Sequence, residues 1–232
     1  MSTGAVRGDW GLGLGYFERA LLFISMACGL LYLATQGLRP YSGSVVVKQL
    51  AIFPLALLAL RALRSADGVL LGMALAFSGL GDMFLGIEGA NLFVYGLGSF
   101  LIAHLFYLAL FTRTVPRPLD LRAGRKALIF ILLIYSAAMT MWLGPDLGPL
   151  AMPVIFYLSA ITAMCLTAVL AGFRTPLVAA GAVLFVISDS LIAVNRFKMP
   201  IDHSDYLVWS TYYFGQLAIA WGVLREKMGP GG

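Results

Sequence analysis

Eight runs of predominantly apolar residues, each close to the length of a membrane crossing, limit the folds open to this chain. A helix needs about 20 apolar residues to cross about 30 Å of hydrocarbon. The runs fall at 17–37, 44–61, 68–86, 91–112, 126–143, 150–171, 175–194 and 205–224. Turn signals separate them, among them RSADG, GPDLGP and the basic TRTVPRPLDLRAGRK. Lipid offers no partner to a free backbone group, so each run is expected to be a helix. Hydrophobic residues make up 60% of the chain and charged residues 12%. Soluble domains carry about 45–50% and about 25%. An all-α integral membrane protein with about eight transmembrane helices follows, as one polytopic domain over 1–232.

The cations orient it. Arg7, Arg19, Arg61, Arg64, Arg113, Arg117, Arg122, Arg125, Lys126, Arg174, Arg225 and Lys227 fall at the N-terminus, in the even-numbered loops or at the C-terminus. Only Arg39, Arg196 and Lys198 fall in the odd-numbered loops. Positive loops stay cytoplasmic, which predicts both termini inside. The net charge of +5 therefore reflects topology and anionic headgroups, not nucleic acid. The start of the chain lacks the basic-then-apolar order of a cleaved leader, so the first span is expected to remain. Localisation in a bacterial cell membrane is expected. Trp10, Tyr16, Tyr206 and Trp209, near span ends, are read as interface anchors. Cys28 and Cys165 read as small buried hydrophobes, and no metal-ligand spacing or disulfide framework is present.

The third run ends FSGLGDMFLG and the seventh contains FVISDSLIAV, each placing an Asp late in an outward-running span. The runs after them align SFLIAHLFYLALF with TYYFGQLAIAWGV, setting His104 over Gln216. Two parallel halves, 1–112 and 126–232, would explain the match.

Within the spans the ionisable residues are Lys48, Asp82, His104 and Asp189. An Asp or Lys at a helix centre costs about 2.5–3.5 kcal/mol on insertion scales, so such groups face the bundle interior and find partners. Counting 1.5 Å per residue puts both aspartates about 6–8 Å, and His104 and Gln216 roughly 16–20 Å, from the outer boundary. Lys48 enters from the same side as the aspartates. A cavity open outward could gather all five, with Ser188, Asn195, Tyr212 and Tyr213 adding hydrogen bonds. Two carboxyls in a low-dielectric site do not both ionise easily, and a lysine favours the charged form of one. Such a pair offers an acid and a base at neutral pH without a metal. That equipment suits a lipid hydrolase, a transporter with carboxylates on its ion path, or an intramembrane aspartyl protease. Gly79-Leu80-Gly81-Asp82 matches the GxGD pattern of the presenilin-like proteases, but the accompanying PAL motif is absent.

Lys48, Gly81-Asp82 with Phe84-Leu85, GLGSFLIAHLFY (96–107), LFVISDSLIAVNRF (184–197) and TYYFGQLAIA (211–220) together resemble the YhhN family of lysoplasmalogenases, also called the TMEM86 family. The resemblance implies hydrolysis of the vinyl ether bond of lysoplasmenyl-ethanolamine or -choline, giving a fatty aldehyde and a glycerophospho-alcohol. It implies no cofactor. Asp82 and Asp189 would be the acid and base, with a slight preference for Asp189 as acid. Lys48 would keep one carboxylate charged or bind the lipid phosphate. His104, Tyr212, Tyr213 and Gln216 would orient water or the glycerol hydroxyl.

Overall fold

The computed structural model describes residues 13–39, 41, 43–87, 92–119 and 121–229. Eight α-helices occur among them, and no strand: α1 (Tyr16–Ala34), α2 (Ser44–Ala62), α3 (Ala66–Gly86), α4 (Phe93–Thr112), α5 (Ala123–Leu143), α6 (Ala151–Leu170), α7 (Leu177–Phe197) and α8 (Ser204–Met228). Seven are long and apolar enough to cross a membrane. The exception, α8, has a lower hydropathy because it carries polar residues such as Gln216 into the interior. It packs along α7 and, at 25 residues, extends about 37 Å, so it runs through the same thickness. The chain is a multi-pass membrane protein.

Lipid acts as the solvent on the outer faces. Helix α5 shows this most clearly, leaving Phe130, Ile131, Leu133, Ile134 and Met141 exposed. Consecutive helices pack in order from α1 to α4, while α4 then packs on α6 and α6 on α7. Helix α8 returns against α2 and α1, closing the bundle, and α5 leans on α6 from outside. The α7–α8 contact is so close that a Cβ on Gly181 would stand 2.6 Å from the Gly215 carbonyl oxygen. Small residues at such crossings let backbones meet and maximise van der Waals contact in lipid.

The two ends of the bundle differ. At the basic end, Asp67 bonds Arg113 and Lys227 at 2.7 Å each, tying α3, α4 and α8 together. At the other end, expected to face outward, Lys198 pairs with Asp146. Trp10 lies outside the described residues. Tyr16 is exposed, as an anchor should be, but Trp209 is not an anchor. It is only 3% exposed, and its indole N–H donates to the Gly29 carbonyl oxygen at 3.0 Å. Position near a span end could not separate the two cases, because a tryptophan there satisfies its N–H equally well in the headgroups or inside the bundle.

Candidate active site

A cavity of about 260 Å³ opens at the end of the bundle opposite the basic loops. Lys48, Asp82, Ser188, Asp189, Asn195 and Tyr212 all line it. Lys48 stands in the second turn of α2 and Asp82 in the last turns of α3. Their Nζ and Oδ1 meet at 2.7 Å with both side chains largely buried. The ammonium also lies 5.6 Å from the Trp209 ring and 5.9 Å from the Tyr32 ring, so two aromatic faces and one carboxylate hold it. A Cβ on Gly81 would fall 2.6 Å from the Phe100 ring; the glycine lets that ring form the wall beside Asp82.

Asp189 has a different shell. The Tyr157 hydroxyl of α6 donates to Asp189 Oδ2. The same hydroxyl lies 3.0 Å from His104 Nε2, and His104 Nε2 lies 3.5 Å from Asp189 Oδ2. His104 is wholly buried, wedged edge-on against Phe185 and Tyr157. The expected depth gap between His104 and Asp189 does not exist. Helix α7 continues to Phe197, three residues past its apolar run, which sets Asp189 about 12 Å below the helix end rather than 6–8 Å.

Tyr212 faces Asp82 and Gln216 from α8. Gln216 sits behind the cavity, where its Oε1 accepts from Tyr107. His104 Nδ1 is buried without a hydrogen-bond partner among the described residues, and the Asp82 Oδ2, Tyr212 hydroxyl and Gln216 Nε2 cluster has no tight bond within it. Ser188 instead donates to the Val208 carbonyl oxygen at 3.2 Å, joining α7 to α8. Asn195 accepts from the Ile201 amide at 2.8 Å and shapes the rim.

Tyr213 is not brought to the cavity. Its hydroxyl pairs with Ser25 at 3.1 Å and its ring stacks on Trp209. On a helix, neighbouring residues point about 100° apart, so Tyr212 and Tyr213 cannot both face the site. Sequence reasoning also missed Tyr157, Tyr32, Trp209, Arg39 and Arg196. For Tyr157 a signal existed: a tyrosine seven residues into a span is too deep for an interface anchor, and its hydroxyl must find an internal partner.

An apolar side slot, lined by Phe93, Leu97, Val154, Leu158, Ile192 and Phe197 among others, adjoins the cavity at Asp189. Among the described residues no group of three or more His, Cys, Asp or Glu side chains is placed to hold a metal ion. The site thus presents two carboxyls in unlike settings, one paired with a cation and one with hydroxyl and imidazole, between a polar mouth and an apolar slot.

Residues 43–223 match the YhhN family. The lysoplasmalogenase of Mycobacterium tuberculosis (strain CDC 1551 / Oshkosh) is 36% identical over 152 residues, covering 64% of this chain and 58% of that protein. The human lysoplasmalogenase TMEM86A is 35% identical over 173 residues, 70% of this chain and 68% of that protein. Human lysoplasmalogenase TMEM86B is 31% identical over 162 residues, 68% and 65% respectively. The match to the mycobacterial relative thus spans less than two thirds of that protein's length. No solved structure matches the chain.

Proposed function

The chain belongs to the YhhN family, and we propose that it is a lysoplasmalogenase that cleaves the vinyl ether bond by carboxylate acid–base catalysis. The observation that carries this reading is the pair of carboxyls lining one cavity, each with its own shell: Lys48 at 2.7 Å from Asp82, and Tyr157 and His104 around Asp189. The names of the relatives supply the substrate class.

Asp189, in its acid form, delivers a proton to the β-carbon of the vinyl ether. The double-bond electrons take that proton, and an oxocarbenium ion forms across the α-carbon and the ether oxygen. Asp82, held as a carboxylate by its ion pair, faces the developing positive charge. Water adds to the α-carbon and loses a proton to Asp82, giving a hemiacetal. As the hemiacetal collapses, its hydroxyl proton passes to Asp189, and Asp82 returns its proton to the departing glycerol oxygen. Both carboxyls regain their starting states. The products are a fatty aldehyde and glycerophosphoethanolamine or glycerophosphocholine. Positioned acid–base groups contribute typically about 10²–10⁴-fold each, and a fixed carboxylate in a water-poor site stabilises the cation further. Lys48, already committed to Asp82 and to two aromatic faces, acts as the counter-ion rather than as the phosphate ligand. The Tyr212 hydroxyl, on the cavity wall, orients the attacking water, and Gln216 behind it holds Tyr107. The alkenyl chain lies along the apolar slot.

The test is aldehyde release from lysoplasmenyl-ethanolamine by purified protein in detergent micelles. Wild type should turn over. Asp82→Asn and Asp189→Asn should each lose at least about 10²-fold in kcat. Near-wild-type turnover by both variants, with the fold intact, would refute the assignment.

A further inference from the structure

The cations at the cavity mouth have no role in that chemistry. Arg39, just after α1, and Arg196, in the last turn of α7, line the same mouth, at the end of the bundle where positive charge is otherwise scarce. Their companion there, Lys198, is neutralised by Asp146. Arg39 has one long ion pair at the water-exposed rim, and Arg196 has none among the described residues. Arg39 lies over the Tyr32 ring at 5.6 Å and touches Gln36 Oε1 at 3.3 Å. Its ion-pair partner, Asp205, is 4.0 Å away, and the Asp205 side chain is 71% exposed. Its Nε is buried with no acceptor among the described residues. The Arg196 guanidinium stacks 3.7 Å over the Phe93 ring and has no carboxylate partner among the described residues. Stacking on Phe93 fixes the Arg196 fork and leaves its N–H edge for an anion, while the Tyr32 ring face and Gln36 steady Arg39 beside it.

We infer that Arg39 and Arg196 form a subsite at the cavity mouth for the phosphodiester of a lysolipid headgroup, a reading that rests on the hydrolase assignment above. The spacing agrees. Asp189, Ile192 and Arg196 stand at i, i+3 and i+7, on one face of α7. Seven residues separate the acid from the arginine, about 10 Å along the helix. Six bonds join the vinyl ether α-carbon to phosphorus, which an extended chain covers in about 7 Å. A hydrogen bond at the phosphate end, about 3 Å long, completes the distance. Planar bidentate recognition of phosphate is what arginine does better than lysine. Asp205, at the outer rim beside Arg39, is where the cationic nitrogen of an ethanolamine or choline headgroup would lie.

Binding separates this subsite from catalysis. Two ligands are measured by calorimetry on full-length protein in micelles: a saturated 1-O-alkyl-glycerophosphoethanolamine, which has no vinyl ether to cleave, and 1-O-alkylglycerol, which lacks the phosphate. Wild type should bind the first at least about tenfold more tightly. Arg196→Gln and Arg39→Gln should each weaken that ligand by about tenfold or more, with Arg196→Lys recovering part of the loss, while alkylglycerol affinity moves less than about twofold. Wild-type affinity in both Gln variants overturns the proposal. So does equal weakening of both ligands, which would mark a packing role. Binding of inorganic phosphate with the same arginine dependence, and no gain for the lysolipid over alkylglycerol, would assign the site to a free anion and overturn the lipid reading. Failure of the hydrolase assignment looks different: wild type would release no aldehyde from the alkenyl substrate, yet the arginine-dependent binding would persist.

Discussion

Replacing Tyr157 by Phe removes one oxygen and keeps the ring. That oxygen joins Asp189 to His104, and nothing else among the described residues bridges them. Without it, Asp189 Oδ2 and His104 Nε2 remain 3.5 Å apart, and Asp189 can turn about its side-chain torsions. A hydrogen bond to a charged group contributes about 1.5–3 kcal/mol and a neutral one about 0.5–1.5 kcal/mol. If the Asp189 bond serves to aim the acid, its loss falls on the transition state. At about 1.36 kcal/mol per decade, kcat on lysoplasmenyl-ethanolamine should fall about 10- to 150-fold. The His104 bond falls on the folded state: about 1 kcal/mol, or a Tm lower by about 2–4 °C. Tyr213→Phe supplies the control. Its hydroxyl is also buried, bonded to Ser25 at 3.1 Å, but stands away from the cavity. It should show a similar small Tm loss with kcat within about twofold of wild type. Equal kcat values for Tyr157→Phe and Tyr213→Phe would refute the positioning role of Tyr157.

Lys48→Met strands the buried Asp82 carboxylate. Breaking one side of a buried pair costs about 3–5 kcal/mol, so the variant should give little monodisperse protein; adding Asp82→Asn should restore Tm but not turnover. Gly181→Ala drives a methyl to 2.6 Å from the Gly215 carbonyl oxygen and 3.0 Å from the Ile219 amide nitrogen. Overpacking of this kind costs about 1–3 kcal/mol, read as a lower Tm in detergent, whereas Gly98→Ala, with nothing within 4 Å, should leave Tm unchanged.

The helices and the two aspartates were legible because lipid writes them into composition. A span must be apolar for about 20 residues, and a charge inside one stands out against everything around it. The cost of a lone charge implied that Lys48 would meet one of the two carboxylates; which one, Asp82, only the packing of α2 on α3 decides. What stayed hidden depends on which helix faces which. Tyr157 looks like any other aromatic in a greasy run until α6 is known to lie beside both α4 and α7. Trp209 looks like an interface anchor until α8 is known to press on α1. Arg39 and Arg196 were legible only as counts on one side of a membrane, since a loop residue and a helix-end residue converge on a cavity only when the bundle brings their helices together. Tyr213 shows the converse error: adjacency in sequence was read as adjacency in space, and the helical turn sends the two tyrosines to different partners.

The slot beside Asp189 sets the unit in which this protein would sense its substrate. A ligand whose tail lies against Phe93, Leu97 and Val154 while its head meets water never leaves the two-dimensional phase it came from. The effective variable is then mole fraction in the sheet, not molarity in the tube. Adding inert detergent at fixed bulk lysolipid should slow turnover by surface dilution alone. The products of the proposed reaction would also part by phase, the aldehyde into hydrocarbon and the glycerophospho-alcohol into water, so neither would accumulate where the other could rejoin it.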